Sequence, residues 1–214
     1  MSLPARRILL SCGVLAALAL PAPALAACDG ADGAPTDAAA PAATLCLLNE
    51  QRADHGLPAF SESATLDVAS GDYARDMVAR QFFDHVSPGG GTMVERIKAS
   101  GWVAATTMWT VGENIAWGSG ELGTPASIVD GWMHSAGHRA NILNASFTEI
   151  GIGLAAGSPR PGIDGPAGTY VTDFGSRGTA TAAKTKKPVA RCATKASARA
   201  HTARRAPKRC AIRR

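Results

Sequence analysis

Beyond its first 26 residues the chain has no apolar run near the ~20 residues that a membrane-spanning helix needs. Residues 179–214 contain no acidic and no aromatic side chain, so that stretch lacks the stacking platform by which single-stranded nucleic acid is held, and no specific nucleic-acid partner is expected. Two catalytic signatures are also missing. No His-Glu-x-x-His helix of a metalloprotease and no Gly-x-Ser-x-Gly nucleophile elbow occurs anywhere.

What the N-terminus does have is Arg6 and Arg7, an apolar run over residues 8–20 broken by Ser11, and the small-residue site Ala24-Leu25-Ala26. That order is a secretory signal peptide, expected to be cut after Ala26 and to send the rest outside the cytoplasm. Cysteine parity agrees with it. Of five cysteines Cys12 leaves with the signal, and Cys28, Cys46, Cys192 and Cys210 remain as an even four. Four cysteines permit three pairings. Local pairing favours Cys28 with Cys46 and Cys192 with Cys210, while Leu25-Ala26-Ala27-Cys28 also reads as a lipobox that would acylate Cys28.

Charge is divided along the chain. Residues 179–214 carry twelve Lys or Arg, whereas residues 27–178 carry eight basic against seventeen acidic side chains, so the net +5 averages an acidic domain with a basic tail. The tail reads as a solvated extension with affinity for anionic cell-envelope polymers. Residues 27–43 hold Cys28 and little bulk, and read as a linker. The domain is expected over residues 44–177 and the tail over residues 178–214.

Within the domain, helical spacing of apolar residues predicts helices over 44–55 and 63–80, with shorter ones over 92–100 and 125–133. Trp109 to Trp117 reads as an extended segment, and residues 150–154 and 169–174 as a hairpin joined by a Gly- and Pro-rich stretch. Helices first and strands last predict an α+β domain with a mainly antiparallel sheet.

A series of short words then occurs in order: Leu47-Leu48-Asn49-Glu50-Gln51-Arg52, Ala74-Arg75-Asp76-Met77, Phe82-Phe83-Asp84-His85-Val86-Ser87-Pro88, Gly112-Glu113-Asn114-Ile115-Ala116, residues 132–143 around Gly137-His138-Arg139, Gly151-Ile152-Gly153 and Thr172-Asp173-Phe174-Gly175. Their order and spacing resemble the bacterial CAP domains, relatives of cysteine-rich secretory proteins, antigen 5 and plant pathogenesis-related proteins. The resemblance covers residues 44–177. It implies an α-β-α sandwich with a cleft lined by two histidines and two acids. His85, Glu113 and His138 match the motifs, and Glu95 is placed as the second acid by its distance after His85, with Asp84 and Glu149 as alternatives.

Two neutral imidazoles with carboxylates beside them suit zinc or another divalent metal, with His85 and His138 as ligands. The same residues also fit structural roles, the histidines capping loops and Glu113 anchoring its own loop. Asn114 reads as such an anchor, His134 as a rim residue and His55 as a helix end. A Ser87 or Ser135 triad is the hydrolase alternative. Trp102, Trp109, Trp117 and Trp132 line either a lipid or sugar groove or the core. The function expected is therefore an extracellular protein whose His/Glu cleft binds a metal or small ligand or lipid. A hydrolase using that cleft and an adhesive scaffold acting through the tail are the alternatives.

Overall fold

A computed structural model describes residues 28–103 and 107–179. The signal-peptide segment, residues 180–214 and the Cys192 and Cys210 pair lie outside the described residues.

The first helix, α1 (Ala40–Asp54), starts four residues earlier than its apolar pattern indicates, because alanines need no apolar face to be good helix formers and Pro41 fits a first turn. The residues before it are not a free linker. They fold into successive turns, Ala31 N–H to Cys28 C=O, Gly33 to Gly30 and Asp37 to Ala34. The Cys28–Cys46 disulfide ties them to α1. Composition could not reveal this, since backbone hydrogen bonds and one crosslink do the holding rather than bulky side chains.

After a two-residue strand β1 (Ser61–Glu62) comes α2 (Ala64–Arg80), whose buried face is Leu66, Ala69, Ser70, Tyr73, Ala74 and Met77. Gln81 ends it in the left-handed region at φ 51°. Then follow α3 (Met93–Ala99), strand β2 (Thr107–Ser119), a 3-10 turn (Gly120–Gly123), α4 (Pro125–His134), α5 (Ala136–Ile142), and strands β3 (Glu149–Ala156) and β4 (Ala167–Thr179). The sheet order is β1-β3-β4-β2. β1 and β3 are parallel and the other pairs antiparallel, so the sheet is mixed only at its short outer strand.

Side chains alternate along the strands and divide between two helical layers. Ile150, Ile152, Tyr170 and Phe174 pack with Leu48, Ile128, Trp132 and Ile142 of α1, α4 and α5. Ile115, Ala155 and Val171 pack with Tyr73, Ala74 and Met77 of α2. The result is the α-β-α sandwich. On the α1 side Arg52 is fully buried and donates to the carbonyls of Pro58, Ile142, Asn144 and Phe147, fixing the chain that follows α5.

The Gly151-Ile152-Gly153 word has a steric origin. A Cβ on Gly151 would lie 2.2 Å from the Leu66 carbonyl carbon, and one on Gly153 would lie 2.1 Å from that of Ser70, so the α2 backbone rests directly on β3. Gly153→Ala is expected to cost about 3 kcal/mol or more, above the common range for overpacking because backbone must move. Gly131→Ala, in α4 with nothing within 4 Å of the added carbon, is expected to be neutral or stabilising by about 0.5–1 kcal/mol. Urea denaturation of both variants checks the pair, and equal stabilities would remove the close-packing argument.

Candidate functional site

The site forms along β2, which pairs only with β4 among the described residues. Consecutive strand residues face opposite layers, so Glu113 turns toward α2 and α3 while Asn114 turns toward α4 and α5. Each holds one histidine. Glu113 Oε1 accepts from His85 Nδ1 at 2.7 Å, and Asn114 Nδ2 donates to the backbone carbonyl of His138 at 3.1 Å. Asn141 closes the second arrangement, donating to the Glu113 carbonyl and to Asn114 Oδ1.

Glu113 has only 2% of its side chain exposed, so its second oxygen also needs a partner. That partner is Arg96, whose guanidinium donates to Oε2 at 2.5 Å. Arg96 also donates to the carbonyls of His85 and Gly91 and lies 3.2 Å over the Tyr73 ring. Tyr73 donates its hydroxyl to the carbonyl of Asp84. The loop that carries His85 is thus pinned at residues 84, 85 and 91 from α2 and α3.

Glu95 is not part of this cluster. It is exposed and takes part in a capping box, accepting from Thr92 N–H and Oγ1 while Thr92 Oγ1 accepts from Glu95 N–H. Its pKa is lowered by the Thr92 backbone and hydroxyl donors. The next residue, Arg96, is the one that reaches the cleft. A signal was present, because Thr92-Met93-Val94-Glu95 has the S/T-x-x-E form of a helix start. Glu149 accepts from Trp102 Nε1 and pairs with Arg177, and Asp84 accepts from Val86 N–H, so neither is drawn to the histidines.

The other sequence candidates separate clearly. His134 is exposed and bonded to the Asp130 carbonyl, and His55 caps α1 through the Gln51 carbonyl. The helices of His134 and His138 are broken at Ser135, which is extended, although Gly137 is itself helical. Ser87 Oγ accepts from Gly91 N–H, and among the described residues no serine hydroxyl bonds to a histidine ring. Trp102 and Trp132 are core residues. Trp132 and Trp117 also line a groove of about 350 Å³ with Phe83, Ile115, Leu122 and Ile128, running up to Ser135 and His138.

Besides Arg96, a second cleft residue carries no motif signal of its own. Asp173 lies opposite Glu113 on β4 and is fully buried. Its Oδ2 accepts from Ser70 at 2.8 Å, while Oδ1 has no partner among the described residues. Burial, then the charge of Glu113, pushes its pKa up to about 8. Asp173 is thereby biased toward its protonated form, opposite the Glu113 carboxylate on the neighbouring strand.

The two histidines are biased in opposite directions. The hydrogen bond to Glu113 raises the His85 pKa, and burial, aided by His85 itself, lowers that of His138. His138 makes no ring hydrogen bond among the described residues, so at neutral pH it presents a free nitrogen lone pair. With Nδ1 of His85 committed to Glu113, Nε2 is its remaining nitrogen. For zinc or another divalent metal the residues therefore offer two imidazole nitrogens, with Glu113 as an outer partner that orients one ring. Both Glu113 oxygens are engaged, so it supplies no direct carboxylate ligand. Among the described residues the one tight group of three ligand types is Cys28, Cys46 and Glu50, where the sulfurs are bonded to each other.

In the metal-free protein, histidine NMR titration is expected to place His85 above and His138 below the ordinary value of about 6.5. A raised histidine pKa contributes stability that is full below the unfolded value and lost as pH rises through the folded value. Asp173 has the opposite consequence. It keeps its proton in the fold while an unfolded Asp loses it near 3.8, so stability falls as pH climbs from about 4 toward about 8. Asp173→Asn is expected to flatten that fall in urea denaturation at pH 5 and pH 8, and an unchanged slope would show Asp173 ionised in the fold.

Comparison with known proteins matches residues 45–172 to the CAP model, the cysteine-rich secretory protein family. The Bacillus subtilis protein YkwD is 39% identical over 107 residues, which are 50% of this chain and 39% of that protein. The B. subtilis membrane protein YlbC is 36% identical over 111 residues, 51% of this chain and 30% of that protein. The chain thus covers well under half the length of either relative. Among solved structures, an extracellular protein containing an SCP domain from Bacillus anthracis superposes with a TM-score of 0.50 at 27% identity, covering 61% of this chain and 38% of that one. An outer surface protein of Borrelia burgdorferi, at 19% identity and a TM-score of 0.51 over 63% of this chain and 90% of that one, shares the fold. With the motif words, the α-β-α sandwich and a family match over more than half its length, the chain belongs to the CAP family of cysteine-rich secretory proteins.

Proposed function

We propose that this is an exported CAP-domain protein whose cleft binds a divalent metal through His85 and His138 and takes a small ligand in the adjoining groove. Export is supported by the signal-peptide pattern, by the Cys28–Cys46 disulfide and by the extracellular and outer-surface relatives. The observation that carries the metal reading is the His85 Nδ1 to Glu113 Oε1 hydrogen bond. It fixes the ring and its tautomer, as outer carboxylates do for metal-binding histidines. A bound divalent ion would supply a Lewis acid at the mouth of the groove. The chain's own part is to hold the two histidines from opposite layers through Glu113 and Asn114.

Calorimetric zinc titration at pH 7.5 is expected to show one saturable site that is lost in the His85→Ala/His138→Ala double variant. Glu113→Gln is expected to weaken binding about 10–100-fold, the usual effect of losing an outer-shell partner. A folded wild-type protein that takes up no zinc rejects the metal reading.

A second reading concerns residues 179–214, whose twelve cations without a single anion favour attachment to anionic envelope polymers. Deleting residues 180–214 is expected to abolish binding to such polymers, and binding by the full chain is expected to weaken as salt rises from 0.05 to 0.5 M. Equal retention of both proteins would sink this reading.

A further inference from the structure

The outer edge of β2 carries a second message. On β3 the N–H of Ile152 goes to Asp67 and the C=O of Ile150 accepts from Ser63, both away from β4. Even-numbered residues of β3 therefore point outward and odd-numbered ones point to β4. Gly151 pairs with Asp173, so the backbone groups of Asp173 point to β3 and those of Thr172 point to Asn114 on β2. The odd residues of β2 then face off the sheet. Two contacts agree: the Glu113 carbonyl accepts from Asn141, and the Ile115 carbonyl from Trp132 Nε1. Among the described residues, the N–H groups of Ile115 and Trp117 and the C=O of Trp117 have no hydrogen-bond partner.

These groups belong to the floor of the groove. Ile115, Ala116 and Trp117 are consecutive lining residues, with Phe83 on one wall and Ile128 and Trp132 on the other. Leu122, 75% exposed, lies at the rim. An alkyl chain or a flat ring system would cover the apolar walls but leave the strand's donors and acceptor unmet, at the cost of burying them unpaired. A polypeptide backbone offers both partners at the spacing of a strand. Phe83 on one wall and Ile128 and Trp132 on the other give successive, alternately pointing side chains of such a strand apolar surface to meet, with Ser127, Ser135 and His138 as the polar lining residues.

We infer that the groove takes an extended peptide segment of about three residues, small and apolar, which adds as a strand to the edge of β2 beside His138. This deepens the reading of the cleft by naming a ligand class. It rests on the cleft being the binding site and not on metal. At about 3.4 Å per residue, three residues span β2 from Ile115 to Trp117.

The test uses the 15N-labelled protein with its disulfide intact, in EDTA, and the capped peptide acetyl-Lys-Val-Ala-Val-Lys-amide. At saturation the amide hydrogens of Ile115 and Trp117 are expected to exchange at least tenfold more slowly. Two N-methylated peptides, one modified on both valines and one on the alanine, report direction, because a strand presents only alternate N–H groups to its neighbour. One of them is expected to bind at least tenfold more weakly and the other like the parent. The proposal is overturned if the parent peptide fails to bind at millimolar concentration, if it binds without protecting those amides, or if both methylated peptides bind like the parent. Occupation of the groove by decanoate but not by peptide overturns it too. Zinc titration of the same sample is read independently, so loss of the metal reading and loss of the peptide reading are distinguishable.

Discussion

A carboxylate out of water must be held by charge or by hydrogen bonds on both oxygens, and the cleft is arranged around that requirement at Glu113. His85 meets one oxygen and Arg96 the other. Neither partner is free to move afterwards. Arg96 reaches Glu113 from α3, stacked on Tyr73, and the same guanidinium holds the carbonyls of the His85 loop. One buried charge therefore fixes a helix, a loop and a ring at once.

The edge position of β2 turns this into a two-sided site. A central strand would have neighbours on both sides, and histidines from opposite layers could not approach each other past it. At the edge, the α2 layer delivers His85 and the α4–α5 layer delivers His138, and the adjacent residues Glu113 and Asn114 hold one each. The Gly-Glu-Asn word is thus read physically as two anchors on opposite faces of one strand. The glycine before them admits the Phe147 ring, whose atoms would lie 3.0 Å from an added Cβ. The helix-on-sheet contact at Gly151 and Gly153 sets the height of α2, and so the level at which Tyr73 and the His85 loop arrive.

Much of this was legible in the sequence, for stated reasons. The α2 helix and the β3–β4 hairpin follow from periodicity, because each buries a regular face. α5 was missed because it is short and carries Gly137, so neither propensity nor period marks it. The turns over residues 28–39 were missed because backbone hydrogen bonds leave no apolar pattern. At the site, the motif words carry His85, Glu113 and His138, which the structure ties to β2 by the His85–Glu113 bond and the Asn114 bond to the His138 backbone, whereas Glu95 lies outside that cluster. Thr92 claims Glu95 as a helix cap, a local interaction that distance from His85 alone does not reveal. Asp173 lies inside a motif word that gives no hint of its role, since only the pairing of β4 with β2 brings it opposite Glu113.

An arginine where a second acid was expected changes what the cleft can do. Two carboxylates beside two imidazoles would draw a hard divalent ion by charge. Here Arg96 opposes Glu113, and burial and the Glu113 charge bias Asp173 toward its protonated form, so what the cleft would offer a metal is chiefly its imidazoles. Under the proposed metal reading, such a donor set would favour metals that prefer nitrogen, zinc before magnesium or calcium. The same neutrality suits a groove that needs no charged ligand. Beside His138 the lining is uncharged and largely apolar, and the unmet groups are amides and a carbonyl, so recognition there rests on hydrogen-bond direction and shape rather than on long-range attraction.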